Sequence, residues 1–270
     1  MKKVFILLVL FSSLVFATQS LTFGAISTVE NSIMQKKLTP LMNYISKTIK
    51  KDIEFKTGID YLDTIDKFKN GEYDLGFIGP APYILATHKN KNALKVIVGL
   101  DNKNRGNFNS VIVVKKDSSI NSIKDLKDKT FAFGSPKSTL SFFIPMDMLK
   151  KQKIDKKLKE YVFLGKHDKV AKSIIMGKYD AGGIKESVAK KYAKYLKVIA
   201  KSQDIPDFLI VASDKFPDKL IVKIKKALLQ PDMQKIVKAI KPSATGFRER
   251  KREDYLQLKE IMDKIKAQDF

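Results

Sequence analysis

The chain has 270 residues, of which 44% are hydrophobic, and carries 52 Lys and Arg against 29 Asp and Glu for a formal charge of +23. Apolar residues spread along the whole length exclude a disordered chain, and 13 Gly and 9 Pro exclude collagen-like and low-complexity classes. Cysteine is absent, which excludes a disulfide framework, a thiolate metal site, a cysteine nucleophile and a lipidated N-terminal Cys. The length fits one or two domains. The basic excess points to an anionic partner or surface without choosing which.

Lys2 and Lys3 form a positive start, and Val4–Phe16 is apolar apart from Ser12 and Ser13. Val15-Phe16-Ala17 places a small residue before the next position. This is the pattern of a secretory signal peptide cut after Ala17, expected as residues 1–17. The alternative, a membrane anchor, needs about 20 apolar residues, more than this run supplies. Export without a lipidated Cys predicts a periplasmic protein that is free or held by partner contacts.

Leu21–Ile26 reads as a buried strand running into Ser27-Thr28. Thr39-Pro40 reads as a helix start, Thr capping and Pro opening the first turn, with Leu41, Tyr44, Ile45 and Ile49 at helical spacing. Ile53–Lys56 is the next strand. Asp60 is placed to cap a helix through Phe68 that ends at Asn70-Gly71. Asp74–Ile78 is a strand, Pro80–His88 a helix and Leu94–Leu100 a strand. A polar stretch, Asp101–Asn109, precedes the strand Ser110–Lys115.

The alternation then repeats. Thr130–Phe133 is a strand, Gly134-Ser135-Pro136 a loop, and Ser138-Thr139 starts a helix through Lys151. Tyr161–Leu164, Tyr179–Ile184 and Leu196–Ala200 are strands, interleaved with helices over Asp168–Met176 and Ser187–Ala193. Ile205–Ala212 returns as extended chain, and the tail carries three helical stripes, led by Leu220, Met233 and Tyr255. Alternating strands and helices predict α/β layers with mostly parallel sheets. One such unit, a second inserted unit and closing helices predict a two-lobed architecture with two crossing strands, and a ligand cleft where strand and helix ends converge.

No catalytic or metal motif is present. His88 and His167 are isolated, and HExxH, GxSxG, a P-loop and a dinucleotide glycine turn are all absent. No metal, cofactor or catalytic residue is expected. The lysine pairs, among them Lys36-Lys37 and Lys190-Lys191, read as solvated helix faces rather than a nucleic-acid stripe, and export argues against nucleic acid. Helix starts carry the chemistry instead. Free amides with the hydroxyls of Ser138, Thr139 and Ser141 would form an anion-binding nest; plain capping by Ser138 or Thr139 accounts for the same residues. Gly79-Pro-Ala-Pro-Tyr83 is a second junction, with Tyr83 either presenting its hydroxyl or packing as an aromatic.

Taken in order, these segments resemble the periplasmic phosphate/phosphite/phosphonate-binding proteins of ABC transporters. The resemblance runs through LTFGAIST, Pro40, Asp60-Tyr61, NGEYDLGFIGPAPY, SVIVVKKDSSINSIKDLKDKTFAFGSPKSTLSFFIP, HDKVAKSIIMGKYDAGG, QDIPDF and TGFRERKREDY. It implies a type II periplasmic binding fold, each lobe a mainly parallel sheet flanked by helices, joined by two crossing strands. The implied division is 18–107 for the first part of lobe 1, 108–204 for lobe 2 and 205–270 for the return to lobe 1 and C-terminal helices. Ser138 and Thr139 match the residues that grip the oxyanion, Tyr61 the tyrosine that reaches it, and His167 the histidine opening a later helix; Pro145 matches the following proline.

Three positions depart from the family pattern. Leu140 replaces a hydroxyl, with Ser141 where glycine is usual. Phe108 stands where tyrosine is common, and Phe208, beside Asp207, where an acid serves ligand amines. The implied ligand is a small phosphorus oxyanion without an amine, taken by Tyr61, Tyr83, Ser138, Thr139, Ser141 and His167. Phe108 and Phe208 in the pocket would favour a P–H or P–CH3 face. The implied partner is an inner-membrane ABC permease, with the protein itself a monomer. A periplasmic sensor for a membrane kinase would need the same pocket. An enzyme on this fold would need more than a Ser138–His167 dyad, and a non-specific basic adhesive would show no saturable anion binding.

Overall fold

The computed structural model describes residues 20–26, 30–102 and 107–269. The expected signal peptide and Ser27-Thr28 lie outside the described residues.

In the first part of the chain, β1 (Leu21–Ala25), β2 (Ile53–Lys56), β3 (Leu75–Ile78) and β4 (Leu94–Asp101) alternate with α1 (Asn31–Ile49), α2 (Tyr61–Lys69) and α3 (Pro80–Ala86). The Asp60 carboxylate caps α2 by accepting the Asp63 amide at 2.9 Å, and Gly71 ends that helix with a positive φ of 70°, a conformation that costs glycine least. The helix expected to start at Thr39-Pro40 begins earlier, at Asn31, with Pro40 in its interior. Met34 and Leu38 extend the buried stripe of Leu41, Met42, Ile45 and Ile49, so packing outweighs the one backbone bond that proline removes. Thr39 does not cap; its hydroxyl donates to the Gln35 carbonyl at 2.8 Å.

The short β5 (Asn107–Phe108) leads into β6 (Ser110–Lys115), followed by β7 (Thr130–Phe133), α4 (Ile144–Lys151), β8 (Glu160–Phe163), α5 (His167–Ile175), β9 (Ala181–Lys185), α6 (Glu186–Lys191) and β10 (Leu196–Lys201). The chain crosses back through β11 (Ile205–Pro206) into β12 (Leu209–Ser213), then α7 (Asp218–Leu228), α8 (Gln234–Ile240), β13 (Gly246–Arg248) and α9 (Leu256–Asp269). β13 carries no signal in the sequence reading.

Two large sheets define two lobes. The first has the order β13-β4-β12-β3-β1-β2, the second β10-β6-β9-β7-β8, and β5 pairs with β11 between them. Each sheet is mixed rather than wholly parallel. β2, β1 and β3 are parallel, but β12 enters between β3 and β4 antiparallel to both. In the second sheet β6 runs antiparallel to β10 and β9, while β9, β7 and β8 are parallel. A strand that arrives directly from a crossing segment, as β6 and β12 do, has no helix to reverse it and runs against its neighbours. β5 and β11 are those crossings, with Phe108 opposite Ile205.

One apolar cluster spans both lobes. Tyr83, Ile84 and Leu209 of the first lobe join Phe133, Leu140 and Met146 of the second through Tyr255, Leu258, Met262 and Ile265 of the C-terminal segment. The segment thus ties the lobes together behind the cleft.

Candidate functional site

A cleft of about 620 Å³ opens between the lobes. Tyr61, Gly79, Phe108, Ser138, Thr139, His167, Lys185, Asp207, Phe208 and Lys241 are among its lining residues. Two helix starts meet there. α3 begins after Gly79 with Pro80 at its first turn. Opposite it, Ser138 opens a π-helical turn over Thr139–Phe143 that runs into α4. The π turn has a local cause: Pro145 has no amide to give the Ser141 carbonyl, and that carbonyl accepts the Gly134 amide at 3.2 Å instead. The Phe143 amide, five residues on, reaches the Ser138 carbonyl at 3.1 Å.

The hydroxyls divide into two groups. Ser138 Oγ accepts the Ser141 amide at 3.2 Å, and Thr139 Oγ1 accepts the Ala81 amide across the cleft at 2.9 Å. Both oxygens are acceptors in these bonds, so each hydroxyl keeps its proton for a ligand. Ser138 therefore caps and presents a donor at once. Tyr61 lines the cleft, its hydroxyl without a partner among the described residues and its pKa raised by burial.

Ser141 and Tyr83 are not cleft-lining residues. The Ser141 hydroxyl accepts the Gly134 amide at 2.8 Å and donates to the Gly183 carbonyl. It ties the loop after β7 to β9, and its bonding is used up within the second lobe. Tyr83 is 2% exposed and packs edge-on against Tyr255 at 5.8 Å between ring centres. Burial raises its pKa, with Arg252 beside the hydroxyl working in the opposite direction.

His167 is buried at the start of α5, and its Nδ1 accepts the Lys185 amide at 3.1 Å. Burial first, then the Lys185 cation, push its pKa down to about 3 against the pull of Asp168. The ring is neutral, and with Nδ1 accepting, Nε2 carries the proton and is the donor. A ring in this tautomer cannot serve Ser138 as a base. The Asp168 carboxylate is held by Lys191 at 2.6 Å and the Tyr192 hydroxyl at 3.0 Å rather than by the imidazole.

Nothing in the sequence sets the cleft cations apart. Lys37 and Lys190, from pairs read as solvated faces, both line the cleft, as do Lys185, Lys201 and Lys241. No local signal separates these lysines from their neighbours; the two-lobed topology brings them together. The acids present are already engaged. Glu186 pairs with Lys201 at 3.1 Å and Lys190 at 3.2 Å, Asp204 accepts from Asn109 Nδ2 at 2.9 Å, and Asp207 pairs with Lys241. The Lys185 ammonium has no hydrogen bond or ion pair with a described residue. Burial, reinforced by the Lys241 and Lys37 cations, lowers its pKa despite Asp168 and Asp207. A half-buried ammonium without an ion-pair partner, beside neutral donors, suits an anion. No group of three or more His, Cys, Asp or Glu able to hold a metal occurs among the described residues.

The other wall is apolar. Phe208 stacks on Phe77 at 4.8 Å and meets Phe108 edge-on at 6.0 Å. Gly79 keeps this wall close: a Cβ there would stand 3.3 Å from the Phe208 ring.

Comparison with known proteins places this geometry. The family model for the phosphonate ABC transporter periplasmic substrate-binding protein matches residues 23–255. The "Phosphate-import protein PhnD" of Mycolicibacterium smegmatis is 27% identical over 233 residues, 78% of this chain and 72% of that protein. The "Probable ABC transporter phosphite binding protein PhnD1" of Prochlorococcus marinus is 29% identical over 188 residues, 66% of this chain and 62% of that one. The crystal structure of PhnD1 from Prochlorococcus marinus with methylphosphonate superposes with a TM-score of 0.81 at 24% identity, covering 92% of this chain and 98% of that one. The fold is that of two-lobed periplasmic binding proteins, and the function is substrate binding for transport rather than catalysis. The chain belongs to the family of periplasmic substrate-binding proteins of phosphonate ABC transporters.

Proposed function

We propose that this protein captures a small tetrahedral phosphorus oxyanion without an amine, namely phosphite, phosphate or an alkyl phosphonate. It then delivers the anion to an inner-membrane ABC permease. The observation that carries this reading is the convergence on one cleft of Lys185, the neutral His167 and the hydroxyls of Ser138, Thr139 and Tyr61. Two lysines without an ion pair among the described residues, Lys185 and Lys37, with several neutral donors suit a phosphorus oxyanion, whose charge is spread over its oxygens. The Phe108–Phe208 wall suits the fourth, non-oxygen substituent. Names of relatives that import phosphate or bind phosphite, and a structural neighbour holding methylphosphonate, support the same class.

In this reading residues 18–107 and 205–270 form one lobe and 108–204 the other, closing on the anion about the crossing segments. Ser141 and Tyr83 support the site from behind rather than touching the ligand. Residues 1–17 direct export to the periplasm and are removed after Ala17, and the mature protein works as a monomer.

The test is thermal unfolding of residues 18–270 with phosphite, phosphate, methylphosphonate or sulfate at about 1 mM. A ligand present at about 1,000 times its Kd stabilises the fold by roughly 4 kcal/mol, a shift of several degrees. A rise with a phosphorus oxyanion that Thr139→Ala removes is the expected result. No rise with any of them overturns the phosphorus assignment.

A further inference from the structure

Asp207 is the most deeply buried acid of the cleft, 1% exposed, at the junction between the crossing strand β11 and the central strand β12. Its Oδ1 accepts the Phe208 amide at 2.8 Å, and its Oδ2 is engaged by the ammonium of Lys241. Lys241 comes from the end of α8, and its ammonium also lies 5.4 Å from the centre of the Phe108 ring. All four residues line the cleft. A buried carboxylate beside an aromatic face is the environment that a ligand ammonium seeks. Here that place is taken by a cation belonging to the protein.

We infer that Lys241 is a specificity residue: its ammonium fills the position that an aminoalkyl group would occupy, so the cleft rejects amine-bearing anions. This rests on the reading of the cleft as a phosphorus-oxyanion site. The rejection has two parts. An incoming ammonium would lose its water and find Asp207 already neutralised. It would also approach the like charge of Lys241 in a partly desolvated cleft, where repulsion is stronger than in water. An alkyl group of the same length meets neither cost and gains contact with Phe108 and Phe208.

The experiment compares ethylphosphonate with 2-aminoethylphosphonate, which differ only by the amine, by titration calorimetry on residues 18–270. The wild type is expected to prefer ethylphosphonate by at least about tenfold. Lys241→Met exposes Asp207 to the ligand and is expected to move the preference toward the amine by about tenfold or more. Lys241→Gln leaves a neutral hydrogen-bond donor for Asp207, so it keeps the test open if the methionine variant fails to fold. Asp207→Asn combined with Lys241→Met removes the carboxylate and is expected to cancel the gain. A purely structural staple between α8 and the crossing would change both affinities together and leave their ratio fixed. Binding of ethylphosphonate with an unchanged ratio in a folded Lys241 variant overturns this inference alone. Absence of binding by the wild type to any phosphorus oxyanion overturns the proposed function, and this inference falls with it.

Discussion

His167 and Lys185 are locked together through the backbone: the Lys185 amide donates to His167 Nδ1 at 3.1 Å, while the imidazole Nε2 and the Lys185 ammonium remain for the cleft. One contact thus fixes a tautomer and anchors a cation at the same place. It also joins α5 to the end of β9, which orders both residues before a ligand arrives, so less entropy is lost on binding.

Removing the cation is expected to weaken binding of phosphite or phosphate more than any single hydroxyl deletion. Lys185→Met should cost about 10- to 100-fold in Kd, the range for hydrogen bonds to charged groups. The pH dependence has a definite sign. The pKa of Lys185 lies below the ordinary lysine value of 10.5 because burial disfavours the ammonium. Between its folded value and 10.5 the unfolded chain holds more protons, so this residue's contribution to stability rises with pH. Anion affinity should move the opposite way and fall on the alkaline side, as the ammonium is lost. Titration calorimetry from neutral to alkaline pH checks this, and Lys185→Met should flatten the profile.

His167 gives the acid-side counterpart. Its pKa falls from 6.5 to about 3, chiefly through burial. Between those values the unfolded chain carries a proton that the folded ring refuses, so stability is lost as pH falls from 6.5 toward 3. Melting temperatures measured from pH 7 to 4 should decline in the wild type, and the decline should be shallower in His167→Gln. The second ionisation of a phosphorus oxyanion also falls near neutral pH, so the wild type is compared with His167→Gln: the two affinity profiles should run parallel through pH 6.5, because the ring stays neutral there. An affinity that climbs as pH drops in the wild type but not in His167→Gln would show an imidazolium donor instead.

Much of this arrangement is legible where the determinant is local. Asp60 caps α2, Gly71 stops it and Ser138 opens the second lobe's helix, because each acts through bonds to residues a few positions away. Pro40 misleads for the same reason. It is a strong local signal, overruled by the packing of Met34 and Leu38 in the helical turns before it. The direction of β12 and the identity of the cleft lysines are settled by how the chain re-enters the first lobe. Lys185, Lys190 and Lys241 look like the surface lysines around them, and only the crossing topology brings them to one cleft. Tyr83 and Ser141 show the converse: junction residues with the right chemistry, one packed away against Tyr255 and the other with its hydroxyl already donating to the Gly183 carbonyl.

Ser141 and Thr139 are two residues apart in one turn and should separate cleanly in mutagenesis. Ser141→Ala strips a partner from the buried Gly183 carbonyl and leaves the Gly134 amide only the Ser141 backbone carbonyl. Leaving a buried group unsatisfied costs about 1–3 kcal/mol, or roughly 2–4 °C of melting temperature per kcal/mol for a protein of this size. Thr139→Ala removes the acceptor for Ala81 and a donor to the cleft. It should lower anion affinity by at least about tenfold, and Thr139→Ser should restore most of it. Paired melting and calorimetry on the three variants reads the difference. Equal affinity losses in Ser141→Ala and Thr139→Ala would place both hydroxyls on the ligand.

An ion pair joins the two lobes, and its effect on ligand release can be measured separately from the ligand contacts. Glu30, just before α1 in the first lobe, pairs with Lys166, the residue preceding α5 in the second. The Lys166 ammonium, by hydrogen bond and charge, lowers the pKa of the Glu30 carboxylate. The pair is solvent-exposed, with 71% of the glutamate side chain accessible, so salt should screen it strongly. Glu30→Gln is therefore expected to raise the ligand dissociation rate by a few-fold or less at low ionic strength, leaving association nearly unchanged. That difference should vanish near 0.5 M salt, where the Debye length is only about 4 Å. Stopped-flow dissociation at two ionic strengths makes the comparison. A Glu30→Gln effect that persists undiminished in salt would assign the residue a packing role in place of the ionic one.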